Sequence, residues 1–373
     1  MLSRRAKKGN AVILISGAMV VGLMMSSIGI DMGFMYAERE LLQSAADAGV
    51  LSGTHQLVRN TSNDPNVVQG DVITNAVNIV AEHTVGDSNI VAADPNQDIT
   101  LGYIDPNNPV YNRNTFTNPS NNPAYGFSGG YNAVSVVVRR TADSPGGAIP
   151  SLMANLFGVN QMESQASSVA MMDNSVSQVI SGLRPFYGCQ AQFDLAYQDG
   201  DPTNNIARIY GKKQTLDGKS VNGCPKAPAG NWGFADLRDG CPGAPGNRTL
   251  ARWIKDGFGT SYGERPVIVG RDYSTQPGNS ISSKKVRTAI QQLIDDQTVI
   301  MIPLTDHVSG SGSNAHVDVS QIAGFVITDF KYNGPSKKRY IEGYYTKAVC
   351  SNNCVAGTGN GNGGSVFKLR LVR

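Results

Sequence analysis

Charge is scarce in this chain. Only 16% of its 373 residues are Asp, Glu, Lys or Arg, against 42 glycines, and the formal net charge is +3. The only run of three basic residues is Lys337-Lys338-Arg339, which a solvated hairpin end explains, so the clustered basic footprint that nucleic acid requires is missing. Neither Cys-x-x-Cys nor His-x-x-x-His occurs, which removes a structural zinc site of finger-like spacing. There is no His-Glu-x-x-His helix, and the Asp/Asn-rich stretches at Asp94 to Asp98 and Asp199 to Asn205 lack the closing Glu of a calcium loop. No cofactor or metal is expected.

The chain has one long run without charge that is also apolar. Ala11 to Ile30 follows Arg4, Arg5, Lys7 and Lys8 and precedes Asp31, Glu38 and Glu40. About twenty residues at about 1.5 Å each cover a hydrocarbon core of about 30 Å, so the run is long enough to span a bilayer. A cleavable secretory signal has a shorter apolar region and a small-x-small site directly after it, whereas Ile30-Asp31-Met32-Gly33-Phe34 follows here. An uncleaved anchor is expected, with the basic N-terminus in the cytoplasm and everything from Asp31 onward outside. Ala18 and Gly22 form a small-xxx-small pair inside the span, and such residues let transmembrane helices approach closely, a homo-oligomer included.

Beyond the span, Met35, Leu41, Leu42, Ala45, Ala48 and Leu51 recur largely at three- and four-residue steps, predicting a helix that continues from Met32 to Val58. Asp64-Pro65 starts another, because Asp caps, Pro fits the first turn, and Val68, Val72, Ile73, Ala76, Val77 and Val80 supply an apolar stripe. Strands are expected at Asp98 to Ile104, at Asn132 to Thr141 with Val134, Val136 and Val138 on one face, and at Glu163 to Met172. Pro145-Gly146-Gly147 introduces a short helix over Ala148 to Phe157. Helices against one face of a small antiparallel sheet make an α+β packing.

The order of a basic start, an uncharged span running into Asp31-Met32-Gly33, then Tyr36, Arg39 and Leu42-Gln43-Ser44-Ala45-Ala46-Asp47-Ala48 resembles the N-terminal region of TadG-like proteins of the Flp (tight adherence, Tad) pilus system. The segment from Val134 to Met172, with Arg139-Arg140-Thr141-Ala142 and Leu156-Phe157-Gly158-Val159, is similar to the same family. The resemblance implies a non-enzymatic component of Flp pilus assembly in the bacterial cytoplasmic membrane. Its role would be that of an anchor or minor pilin-like scaffold, with other Tad components as partners and the bilayer held through residues 11–30. Processed pilins of that system carry Glu at the fifth position of the mature helix. Counted from Gly9, the fifth residue is Leu14, and no acid occurs before Asp31, which favours an unprocessed anchor.

From Gly182 the composition turns to Cys, Gly, Pro and aromatic residues, and Pro228 to Leu237 is similar to a segment in the C-terminal parts of the same family. One helix is expected at Ser283 to Asp295 and strands at Val299 to Leu304, Gln321 to Tyr332, Tyr340 to Val349 and Val366 to Val372, giving a β-rich domain. All five cysteines fall outside the membrane, where disulfides are the default. Cys350 with Cys354 could close a small loop and Cys224 with Cys241 a longer one, leaving Cys189, but the sequence does not fix the connectivity.

Several motifs imitate active sites. Asp173-Asn174-Ser175-Val176-Ser177 has the Asp-x-Ser-x-Ser form of a metal-ion site in von Willebrand A-like domains, and Asp306, His307, His316 and Asp318 are the densest group of acid/base residues. They carry the alternative reading, a membrane-tethered metal-dependent adhesive or hydrolytic domain. Gly218-Lys219-Ser220 ends like a phosphate-binding loop but has Lys213 where the opening Gly belongs. Gly126-Phe127-Ser128-Gly129-Gly130 spells a nucleophile elbow without the preceding strand or following helix. The expected organisation is thus a cytoplasmic segment over 1–10, a transmembrane helix over 11–30, a helix-plus-sheet module over 31–175 and a β-rich distal domain over 176–373.

Overall fold

The computed structural model describes residues 3–60, 62, 64–85, 89–105, 109–112, 116, 131–173, 175–198, 202–209, 214–226, 231–238, 245–261, 263–278, 280–334, 338–350, 353–357 and 364–372. The Gly126 to Gly130 elbow, Cys241, Lys337 and the start of the Pro228 segment lie outside these residues.

Helix α1, Ser3–Arg59, is one uninterrupted element of 57 residues, about 85 Å long at about 1.5 Å per residue. Its surroundings change along its length. From Ala11 to Ile30 every side chain except Ser27 is exposed, whereas from Leu42 onward one face is buried. Helix α2, Pro65–Ala81, begins where expected: Asp64 accepts a hydrogen bond from the Asn66 amide and Pro65 sits in the first turn. It folds back on α1, and Gly49 sets how closely, since a Cβ there would lie 2.5 Å from Val80 Cγ2.

Strands β1 (Ile99–Gly102), β2 (Ala133–Arg140), β3 (Ile149–Pro150), β4 (Gln161–Met162) and β5 (Ser164–Asp173) follow. β1, β2 and β5 pair antiparallel in that order. Val134, Val136 and Val138 share a core with Leu42, Ala45 and Val50 of α1 and Val68, Val72 and Val80 of α2. Burying each such aliphatic side chain contributes about 1.5–3 kcal/mol.

The rest of the chain supplies β6 (Gly188–Cys189), α3 (Gln190–Gln198), α4 (Asn247–Asp256), α5 (Lys284–Asp295), β7 (Val299–Thr305), β8 (Gln321–Lys331), β9 (Tyr340–Thr346), β10 (Ala348–Val349) and β11 (Val366–Val372). β7, β8 and β9 are antiparallel neighbours, β6 joins β7 in parallel, and the short strands at 207–208, 215–216 and 219–220 extend the other edge. Phe186, Phe234, Trp253, Phe258, Phe325 and Tyr345 fill the core beneath them. The molecule is an α+β protein: a long N-terminal apolar helix, a small sheet packed on it, and a β-rich remainder.

Four expectations are corrected. The remainder contains α3 and α4 in addition to α5. α4 is hard to see because its buried stripe is only Leu250, Trp253 and Ile254 in an otherwise polar turn sequence, and α3 spans only nine residues, with Phe193 and Ala196 its buried apolar side chains. Val366 to Val372 does form a strand, but it pairs with β5, Leu369 opposite Met172 and Leu371 opposite Ala170, rather than with the distal sheet. The β1-β2-β5 order leaves one edge of β5 with unpaired backbone groups, and a returning strand satisfies them. The short helix expected over Ala148 to Phe157 is instead a hairpin, β3 against β4, closed over a 3-10 turn at Ala154–Phe157. Gly158 ends that turn at φ 86°, a left-handed position that stops helix propagation.

The fourth correction concerns Cys224. It bonds Cys189 rather than Cys241, with an S–S distance of 2.02 Å and a Cα–Cα distance of 5.4 Å. The bond ties β6, at one edge of the distal sheet, to the loop beyond Ser220 at the other edge. Strand order across a sheet brought these cysteines together, and spacing along the chain does not report it. Cys350 is bonded to Cys354, four residues on.

Candidate functional site

Ala18, Gly22 and Asp31 occupy different surroundings on α1. Ala18 and Gly22 lie on its uncovered length, and a Cβ at Gly22 would meet nothing within 4 Å. Asp31 is buried, together with Ser27 one turn before it and Glu38 two turns after it. Seven- and four-residue spacing puts all three on one face of the helix.

The β3–β4 hairpin meets that face at Asp31. Asp31 Oδ1 accepts hydrogen bonds from the backbone amides of Leu152 and Met153, both at 3.0 Å, and Oδ2 accepts from Ala154 at 2.5 Å. The 3-10 turn that begins at Ala154 has no side-chain cap of its own. A carboxylate on another element therefore does the capping, and its charge is matched by the exposed amides at the turn's start.

Glu38 sits further along the same face, and its Oε2 has no hydrogen-bond partner among the described residues. Burial raises its carboxyl pKa, and the charge of Arg140 offsets this only in part. Arg140 is itself buried and donates from Nε to the Gly147 carbonyl at 2.8 Å, fixing the base of the hairpin. A raised acid pKa means that the folded state prefers the protonated form. Glu38 therefore subtracts stability above its folded pKa, and the penalty is absent below the unfolded value. Glu38→Gln is expected to raise the thermal midpoint slightly at pH 7 and to match the parent near pH 4; a gain of equal size at both would contradict this account.

Between α1 and the open face of the β1-β2-β5 sheet lies a polar groove of about 660 Å³, lined by Arg39, Gln43, Asp98, Arg139, Gln165 and Ser167 among others. Arg139 Nε stands 2.6 Å from Asp98 Oδ1. The contact with Asp98 raises the Arg139 pKa against the effect of burial, so the guanidinium is held in its charged form beside that carboxylate. The groove offers hydrogen-bonding surface rather than an acid/base pair.

The active-site imitations are placed as follows. Asp173 Oδ1 accepts from the Ser175 amide and hydroxyl, while Oδ2 is 3.1 Å from Arg370 Nη1 on β11. Ser177 donates to the Val355 carbonyl, so carboxylate and hydroxyls are engaged in joining strands. Asp318 faces Asp272 across paired strands, and its pKa is raised by burial first and then by Asp306 and Asp272. His316 pairs with Ser274, two positions along the same ladder. Among the described residues, no group of three or more His, Cys, Asp or Glu side chains is arranged to hold a metal ion. Gly218 forms, with Asp217, the positive-φ corner of a two-residue hairpin turn between 215–216 and 219–220, which is strand-turn chemistry and not a phosphate loop.

The sequence marked Asp31 as the membrane edge but not its partners. The signal that could have found them is the absence of charge from Ala148 to Met162, between Asp143 and Glu163.

Comparison with known proteins locates this architecture. Residues 9–56 match the Flp pilus-assembly TadE/G-like family, and residues 52–170 match the Tad-like Flp pilus-assembly family. No curated protein and no solved structure matches the chain. The matched stretch begins before the apolar run and ends inside β5, so it takes in α1, α2, β1, β2 and the hairpin held by Asp31. With both families in sequence along one continuous helix and the sheet packed on it, residues 9–170 form a TadE/G-like region of the Flp (Tad) pilus-assembly type.

Proposed function

We propose that the protein is a non-enzymatic anchor or minor pilin-like scaffold of Flp pilus assembly, held in the cytoplasmic membrane with residues 1–10 inside and the folded bulk outside. One observation carries this reading. α1 is unbroken from the basic N-terminus to Arg59, so the helix that crosses the bilayer is the same rod on which the sheet is built. Force or position at the membrane is transmitted to the folded part without a hinge. The uncovered small residues Ala18 and Gly22 are the surface offered to another helix of the machinery, and the polar groove beside Arg39 is offered to a partner outside.

The test is fractionation of cells into membranes and sheared surface filaments, with mass spectrometry of the N-terminus and pilus counts in a deletion strain. Recovery in membranes with the residues before Gly9 still attached, together with loss of pili on deletion, supports the scaffold. Recovery in filaments with the chain starting at Asn10 assigns it instead as a processed fibre subunit, and unchanged pili on deletion remove it from assembly.

A further inference from the structure

We propose that the tip of the β3–β4 hairpin is a second membrane contact, with Leu152, Met153, Leu156 and Val159 entering the lipid interface beside α1. The proposal rests on the reading of Ala11 to Ile30 as the transmembrane span. Those four side chains are 54%, 41%, 78% and 49% exposed, although they stand within eight residues of one another on a single turn. A soluble surface scatters such residues singly, and an apolar patch on one short turn marks a contact.

The height of the turn identifies the occupant. Asp31 is the first residue beyond the apolar run, and its carboxylate binds the amides of Leu152, Met153 and Ala154. Ser27 lies one turn deeper, about 6 Å along the axis, and is only 6% exposed, while Met25, Ile28 and Ile30 around it stay open at 71%, 57% and 49%. The 3-10 turn touches α1 and is fixed to it at Asp31 through the Ala154 amide, which sets the hairpin tip at the end of the apolar run. From Ala148 to Met162 the hairpin has no charged residue of its own to resist transfer into the interface, and the flanking charges along the chain, Asp143 and Glu163, stand at its base. A protein partner at this level would have to displace headgroups; lipid is already there.

Full-length protein reconstituted in phosphatidylethanolamine/phosphatidylglycerol vesicles, with and without brominated acyl chains, tests the assignment through Leu156→Trp and, separately, Leu152→Trp. Val20→Trp in the span and Val299→Trp on the distal sheet are the references. The expected result is that either hairpin variant loses most of its added emission to bromine and is blue-shifted, as Val20→Trp does, while Val299→Trp keeps its emission. Added emission that resists bromine overturns the proposal: at a solvent wavelength the tip is in water, and blue-shifted it is covered by protein, another copy included. If Val20→Trp is quenched in that case, the span stands and only the tip is wrong. An unquenched Val20→Trp removes the span and the tip contact together. Two hairpin variants guard against misfolding of one.

Discussion

Phe367→Ala is expected to destabilise the helix–sheet module by about 3–5 kcal/mol, the cost of emptying a fully buried aromatic site. The residue is distant in sequence from the stretch that matches the pilus-assembly families, yet it is 0% exposed and belongs to the core of Leu42, Val72 and Val136. Its strand β11 covers the edge of β5 from Val169 to Asp173, and Arg370 on the same strand pairs with Asp173. Loss of the ring opens a cavity beneath both helices. Hydrogen exchange reads the effect directly: protection in α2 and β2 should fall by the corresponding factor, with a smaller loss in Phe367→Leu. Unaltered protection in α2 would mean that the returning strand is no part of this core.

Glu264→Ala should be the most damaging polar substitution in the distal part, at about 2–4 kcal/mol. Glu264 Oε1 accepts from the indole of Trp253 at 2.8 Å and from Arg252 Nη2, and Oε2 accepts from the amides of Gly259 at 2.8 Å and Ser261 at 3.3 Å. Trp253 is completely buried at the centre of the aromatic core. Removing the carboxylate strands its N–H and the Gly259 amide, and each buried donor left without an acceptor costs about 1–3 kcal/mol. Partial water access to Glu264, 11% exposed, keeps the sum below the full total. Glu264→Gln retains an acceptor but cannot serve four donors, so it should fall between. Chemical denaturation followed through Trp253 fluorescence ranks the three proteins, and a loss under about 0.5 kcal/mol for the alanine variant, typical of a plain surface site, would refute the network's importance.

These two sites show where sequence reasoning reached and where it stopped. The apolar run, the Asp64-Pro65 helix start and the alternating Val134, Val136 and Val138 each depend on neighbours a few residues away, and each appears as expected. The same holds for the continuation of α1 beyond the apolar run and for the strands at β7, β8 and β9. Asp31 drew notice as the first charge after the span, without any sign that it would bind amides 121 to 123 positions later. Glu264 drew none, because a single Glu in a Gly-rich stretch has no periodicity to betray it.

By itself, then, the sequence determined the membrane-length helix, its continuation, the class of the fold and the family resemblance, since spacing along one chain sets helix faces, strand alternation and caps. Tertiary structure alone decided that β11 returns to β5, that Cys189 rather than Cys241 meets Cys224, and that Asp31 caps the hairpin. The physical reason is that a free strand edge, a thiol or a carboxylate advertises a need but not a partner. Many groups along the chain could meet each need, and only the packing of both cores brings one of them within reach.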